Sequence, residues 1–96
     1  MAYRVIWSPR AIDDVESIAA YIAHDSEAYA ASVVRKVLAK TRNLTAFPRV
    51  GRMVPEFEDD TTREIFAYSY RIIYRIEDEE ITIAAVIHGK RLFDGT

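Results

Sequence analysis

The chain has 96 residues, half of them hydrophobic and 29% charged, with three glycines, three prolines and no cysteine. That length suits one domain over 1–96 built on one core, and the composition excludes a disordered, collagen-like or disulfide-stapled chain. The formal net charge of −2 counts against a protein that holds nucleic acid chiefly through phosphates.

The charge is unevenly placed, with eight basic and five acidic residues in 1–52 against five and ten in 53–96. No apolar run approaches the ~18 residues of a membrane span, so no membrane association is expected. Met1-Ala2-Tyr3-Arg4 opens no signal core, and the expected location is the cytoplasm.

Tyr3–Trp7 is a short β-rich run and reads as an opening strand. Ser8-Pro9 then starts a helix: serine caps the free N–H groups, and proline fits a first turn where its missing N–H costs nothing. Ile12, Val15, Ile18 and Ile22 recur at helical spacing. Asp13, Asp14 and Glu16 suit the positive end of the helix dipole. Asp25-Ser26 breaks the pattern and caps a second helix over Glu27–Thr45, striped with Ala30, Val33/Val34, Val37/Leu38, Thr41 and Leu44. So short a connection makes an antiparallel helical hairpin. Tyr21 and Tyr29 flank its turn as semi-buried packing residues, and Arg35, Lys36, Lys40 and Arg42 form a solvated outer face.

Phe47-Pro48-Arg49-Val50-Gly51-Arg52 begins a loop that runs through Pro55. Gly51 serves a turn there, and Arg49 and Arg52 read as phosphate or partner contacts. The period then changes to that of strands over Arg63–Tyr68, Tyr70–Ile76 and Ile81–His88. The acidic runs Glu56–Asp60 and Glu77–Glu80 read as loops. In the middle strand Tyr70, Ile72, Tyr74 and Ile76 share one face, and Arg71, Ile73 and Arg75 the other. The expected helix-facing set is Ile72, Tyr74, Ile76, Ile83 and Ala85, against Ile12, Val15, Ile22, Val34, Val37 and Leu38. The predicted fold is α+β: β-α-α-β-β-β, an antiparallel sheet with the helical hairpin on one face.

Most catalytic constellations are missing from the sequence. Two widely separated histidines, His24 and His88, and no cysteine cannot assemble the usual zinc ligand set. The glycines are isolated, which excludes a phosphate-cradling loop, and no serine sits in a nucleophile elbow. No cofactor is implied. What remains is a set of cations on or beside the strands: Arg63, Arg71, Arg75, His88, Lys90 and Arg91. Arg71 and Arg75 stand four residues apart on one face, ~13 Å by strand rise, and the return of the last strand brings His88–Arg91 toward Arg71. Such a cluster suits bidentate contacts to phosphate or carboxylate; its plain alternative is a solvated sheet face. Leu92 and Phe93, an apolar pair beside Lys90 and Arg91, suit a protein interface better than a phosphate pocket.

In order and spacing, Trp7-Ser8-Pro9-Arg10-Ala11, Asp13-Asp14-Val15, Phe47–Arg52, Arg63-Glu64-Ile65-Phe66, Tyr70–Ile76 and Val86–Arg91 resemble the RelE/ParE superfamily of toxins from type II toxin–antitoxin systems. The resemblance spans nearly the whole chain and implies the same β-α-α-β-β-β fold. It implies one of two activities. RelE-like members are metal-free ribonucleases that cut mRNA on the ribosome. In that case Arg71 and Arg91 would contact the phosphate, Arg63 would stand near a catalytic lysine, and His88 would be left as the base on the 2′-hydroxyl. A second lysine of the preceding strand has no counterpart here, Glu64 and Ile65 lying nearby. ParE-like members, familiar as plasmid stabilisation proteins, bind DNA gyrase and trap its cleaved-DNA complex. The Arg-Glu-hydrophobic strand, the Tyr-Arg-Ile-Ile-Tyr-Arg strand and the His-Gly-Lys-Arg ending are more similar to this branch. Its partner-binding residues would be Arg63, Arg71, Arg75, Lys90, Arg91, Leu92 and Phe93. Either branch implies a cognate antitoxin and a toxin–antitoxin hetero-oligomer.

Overall fold

Both helix starts form where their caps dictate. In the computed structural model, which describes residues 2–95, the Ser8 side chain accepts the Ala11 N–H at 3.0 Å and Pro9 opens helix α1, Pro9–Ala23. Ser26 accepts the Tyr29 N–H at 3.1 Å and starts α2, Glu27–Asn43. The Ser26 cap satisfies donors that the first turn leaves free. The strands are β1 (Arg4–Trp7), β2 (Arg52–Met53), β3 (Thr62–Ala67), β4 (Tyr70–Glu77) and β5 (Glu80–His88). The short β2 lies inside the segment expected to be loop. Met1 and Thr96, the ends of the expected domain, lie outside the described residues.

The strands form one sheet in the order β1-β5-β4-β3-β2. The β5–β4 and β4–β3 pairings are antiparallel, as expected, and the added β2 pairs antiparallel with β3, but β1 runs parallel to β5, with Arg4 opposite Glu80 and Trp7 opposite Ile83. The sheet is therefore mixed. The two helices carry the chain away from β1 before the antiparallel meander is built, which frees β1 to join the far edge in the parallel sense. β2 pairs only Arg52 and Met53 with Glu64 and Arg63, and β3 runs on beyond it.

The helix-facing core contains Ile72, Tyr74, Ile76, Ile81, Ile83 and Val86 against Ala11, Ile22, Val33, Val37 and Leu44. The stripe sits at 11, 15, 18 and 22 on α1, and at 30, 33, 37 and 41 on α2 with Leu44 at its C-cap. Two expected core positions are flanks instead: Ile12 is 45% exposed and Leu38 39%. Small Ala11, fully buried, takes the place where α1 comes closest. Val34 is only partly buried, and Tyr21, at 79% exposed, is a surface residue.

Ala85 also changes sides. The pairing slips between Ile73, opposite Ala85, and Tyr74, opposite Ile83, so Ala84 is an extra residue. A bulge of this kind inverts which side chains face which way beyond it. Ala85 and Ile87 therefore join Val54, Ile73 and Phe93 in a second cluster on the face away from the helices. Helix α1 secures the irregular stretch: the Ser8 hydroxyl donates to the Ala84 carbonyl at 3.1 Å, and Asp14 accepts the Val86 N–H at 2.9 Å.

Candidate functional site

The face of the sheet turned away from the helices carries a chain of alternating charges. Glu64 of β3 and Arg71 of β4 point to this side by strand parity, and Glu64 lies diagonally across from Arg71, next to its direct partner Phe66. The Arg71 Nε donates to Glu64 Oε1 at 2.7 Å, and the Arg52 Nε donates to Glu64 Oε2 at 2.5 Å. The other end of Arg71 forks onto Glu56: Nη1 donates to Oε2 and Nη2 to Oε1, both at 2.8 Å. The order is Arg52–Glu64–Arg71–Glu56. The Glu64 side chain is fully buried and that of Arg71 is 5% exposed.

This arrangement shifts the ionisations in the direction of charge. Hydrogen bonding from Arg71 holds the Glu56 carboxyl at about 2, against desolvation and with help from the Phe93 N–H. Arg71 moves up, chiefly through Glu56, with burial opposing. Pairing and hydrogen bonding offset the desolvation cost of burying these ions, which an isolated charge would carry uncompensated.

The segment after β5 closes over the same face. A second Arg71 Nη1 contact reaches the Arg91 carbonyl at 2.7 Å, and Glu56 Oε2 accepts the Phe93 N–H at 2.8 Å. Phe93 is buried, edge-on to Phe57 at 5.6 Å, with the Arg10 guanidinium 5.6 Å from its ring. Upstream, the Gly89 N–H donates to the Ser69 carbonyl at 2.7 Å and the Arg91 N–H to the His88 carbonyl at 2.9 Å. Gly89, Lys90, Arg91 and Leu92 are exposed, Leu92 to 83%. With Arg52, Pro55, Glu56 and Arg71 they rim an open depression of about 390 Å³.

The cations expected in one cluster fall into two groups. Arg71, Lys90 and Arg91 meet at the start of β4, where His88 also ends β5 opposite Tyr70. Arg63 and Arg75 stand at the other end. Arg63 donates to the carbonyls of Gly51 and Asp60 and to the Asp60 carboxylate, while Arg75 lies between Thr62 and Thr82. Arg71, expected as a surface cation, is instead a buried strut. Phe93, expected as half of an exposed apolar pair, is core; Leu92 alone is presented. His88 is exposed, its ring centroid 5.9 Å from that of Tyr70, and its Nδ1 accepts the Lys90 N–H at 3.2 Å. Arg49 pairs with Asp60 at 2.8 Å.

The residues that sequence reasoning missed are the acids. Glu56 sits in a run that reads as solvated loop, fifteen positions from Arg71. Glu64 offered a signal: a carboxylate within an apolar strand, facing the same side as the arginines of the neighbouring strand. Among the described residues, no group of three His, Cys, Asp or Glu side chains is placed to hold a metal ion, and no helix is long and apolar enough to cross a membrane.

Known proteins share this architecture. The chromosomal ParDE toxin–antitoxin system of Pseudomonas aeruginosa contains a chain that superposes with a TM-score of 0.73 at 18% identity, covering 91% of this chain and 96% of that one. A variant of the Escherichia coli toxin RelE in the free state gives 0.67 at 19% identity, over 94% and 86% of the two chains. The RelBE2 toxin–antitoxin complex of Mycobacterium tuberculosis gives 0.62 at 25% identity, over 92% and 99%. No curated protein sequence matches the chain. A family model does, over residues 5–93: that of the ParE toxin of type II toxin–antitoxin systems. That match reaches from β1 to Phe93, taking in every strand, both helices and the charged face, so the chain belongs to the ParE toxin family.

Proposed function

We propose that the chain acts as a ParE-like poison of DNA gyrase, held inactive in the cytoplasm by a cognate antitoxin. The observation that carries this reading is the state of Arg71. Metal-free cleavage of RNA needs a cation free to meet the scissile phosphate as charge develops on it. Here the Arg71 side chain is 5% exposed and already bound by two carboxylates, with Glu64 fully buried behind it. A phosphate would have to displace Glu56 from a bidentate pair and would meet the negative Glu64 beyond. A protein target asks only for a local complementary patch, and Lys90, Arg91 and Leu92 stand exposed together on one short segment.

The antitoxin reading draws on the likeness to the ParDE and RelBE2 systems. Surface apolar groups such as Tyr21, Phe47, Val50 and Leu92, 60% exposed or more, offer it contact area. The test is direct. Purified protein should inhibit gyrase supercoiling and leave ribosome-bound mRNA intact; Arg91→Ala should weaken inhibition about tenfold or more, and His88→Ala should change it less than twofold. Ribosome-dependent cleavage that disappears in His88→Ala would overturn the proposal in favour of a RelE-like ribonuclease.

A further inference from the structure

We infer that Glu56 is a positioning residue that sets the shape of the exposed segment 89–92, an inference that rests on the reading above for its functional consequence. Two backbone groups, one in this segment and one immediately after it, are gripped by the charged chain on the sheet. Arg71 holds the Arg91 carbonyl and Glu56 holds the Phe93 N–H. These grips fall on either side of Leu92. With the backbone fixed toward the sheet before and after it, and Phe93 sunk among Val54, Ile73, Ala85 and Ile87, the Leu92 side chain is left pointing to solvent.

Stability alone does not account for such a network. An ion pair out of water is often matched or bettered by apolar residues of the same volume. What apolar side chains cannot do is hold one particular carbonyl and one particular N–H. Among the described residues beyond His88 there is no helix or strand to fix the backbone. The order of 91–93 therefore comes from these two bonds, from the burial of Phe93 and from the turn closed by the Arg91 N–H on the His88 carbonyl. A segment ordered before its target arrives loses less conformational freedom on binding. Glu56 does this through one carboxylate that serves both sides: its Oε2 accepts from the Arg71 side chain and from the Phe93 backbone at 2.8 Å each.

The experiment follows amide hydrogen exchange on the full-length, isotope-labelled protein, beside gyrase inhibition by the same samples. In Glu56→Ala the Phe93 amide is expected to exchange at least tenfold faster, while amides of Ile72 and Ile83 in the sheet keep their rates. The concentration for half-inhibition should rise about tenfold or more. Glu56→Gln preserves volume and one acceptor oxygen; it remains folded, shows intermediate Phe93 exchange and recovers most of the inhibition. The inference is overturned by any of three results: Phe93 exchange unchanged in both variants, exchange raised uniformly through the sheet, or inhibition unaffected where the segment has loosened. Wild-type protein without effect on gyrase defeats the proposed target instead, and the exchange pattern then decides the positioning role by itself.

Discussion

At Ile72 the strand alternation and the structure agree: the side chain is fully buried between the sheet and both helices. Ile72→Ala should cost about 2–5 kcal/mol through lost burial and the cavity left behind, read as a lower urea midpoint; a change under about half a kcal/mol would invert the face assignment. Gly51 is constrained differently. A Cβ there would lie 2.5 Å from the Glu64 carbonyl oxygen and 2.7 Å from the Tyr74 hydroxyl, which accepts the Gly51 N–H and donates to the Pro48 carbonyl. Gly51→Ala is expected to destabilise by about 1–3 kcal/mol as this contact is forced apart, measured in the same titration; an unchanged midpoint would refute the close approach. Glu56 gives a pH signature. Its carboxyl titrates near 4.5 when unfolded and at about 2 when folded, so its contribution is present above pH 4.5 and is lost as pH falls from there toward 2. That contribution is at most about 3 kcal/mol. Asp59 and Asp60 are lowered too, by hydrogen bonds from Thr61 and from Arg49. The test is therefore a comparison: stability of Glu56→Gln should fall less steeply between pH 5 and 2 than that of wild type, and parallel curves would contradict the Glu56 assignment.

The elements were legible to different degrees, for reasons that lie in what each one depends on. Helices α1 and α2 begin at serine caps and β4 shows in its own β-branched and aromatic residues; each is legible locally, although α2 ends at Asn43 rather than Thr45 and β4 is buried on both faces over residues 71–74. Strand β5 is not, because its bulge at Ala84 answers to α1: Ser8 and Asp14 take the Ala84 carbonyl and the Val86 N–H. Nothing in Ile81–His88 announces that slip. The same limit applies to the site. Arg71 was legible as a cation on the open face, but its burial depends on Glu56, which chain order places in a loop. Asp14, read only as a charge suited to a helix start, is a tie to the sheet. Asp14→Ala should therefore cost about 1–3 kcal/mol by leaving the Val86 N–H unpaired, more than a dipole effect of ~0.3–1 kcal/mol allows. Faster exchange confined to the Val86 amide region would accompany it, and a loss below the dipole range would show that the tie is idle.

Across the whole molecule, the last strand of the described residues, β5, lies in the interior of the sheet. β5 stands between β1 and β4, and β1 pairs with it, Arg4 opposite Glu80. Pairings this distant in sequence close late and fold slowly. A chain ending at Glu79 has both helices and β2–β4 but lacks the strand that pairs with both β1 and β4, and it should show no cooperative unfolding transition by circular dichroism; a sharp transition would refute the dependence on β5. The consequence reaches into synthesis. Until β5 has been made, the growing chain has neither a finished sheet nor the exposed segment 89–92, on which the proposed action on gyrase depends. Under that proposal activity and fold are completed together, and a neutralising partner need be ready only for chains in which β5 has been made.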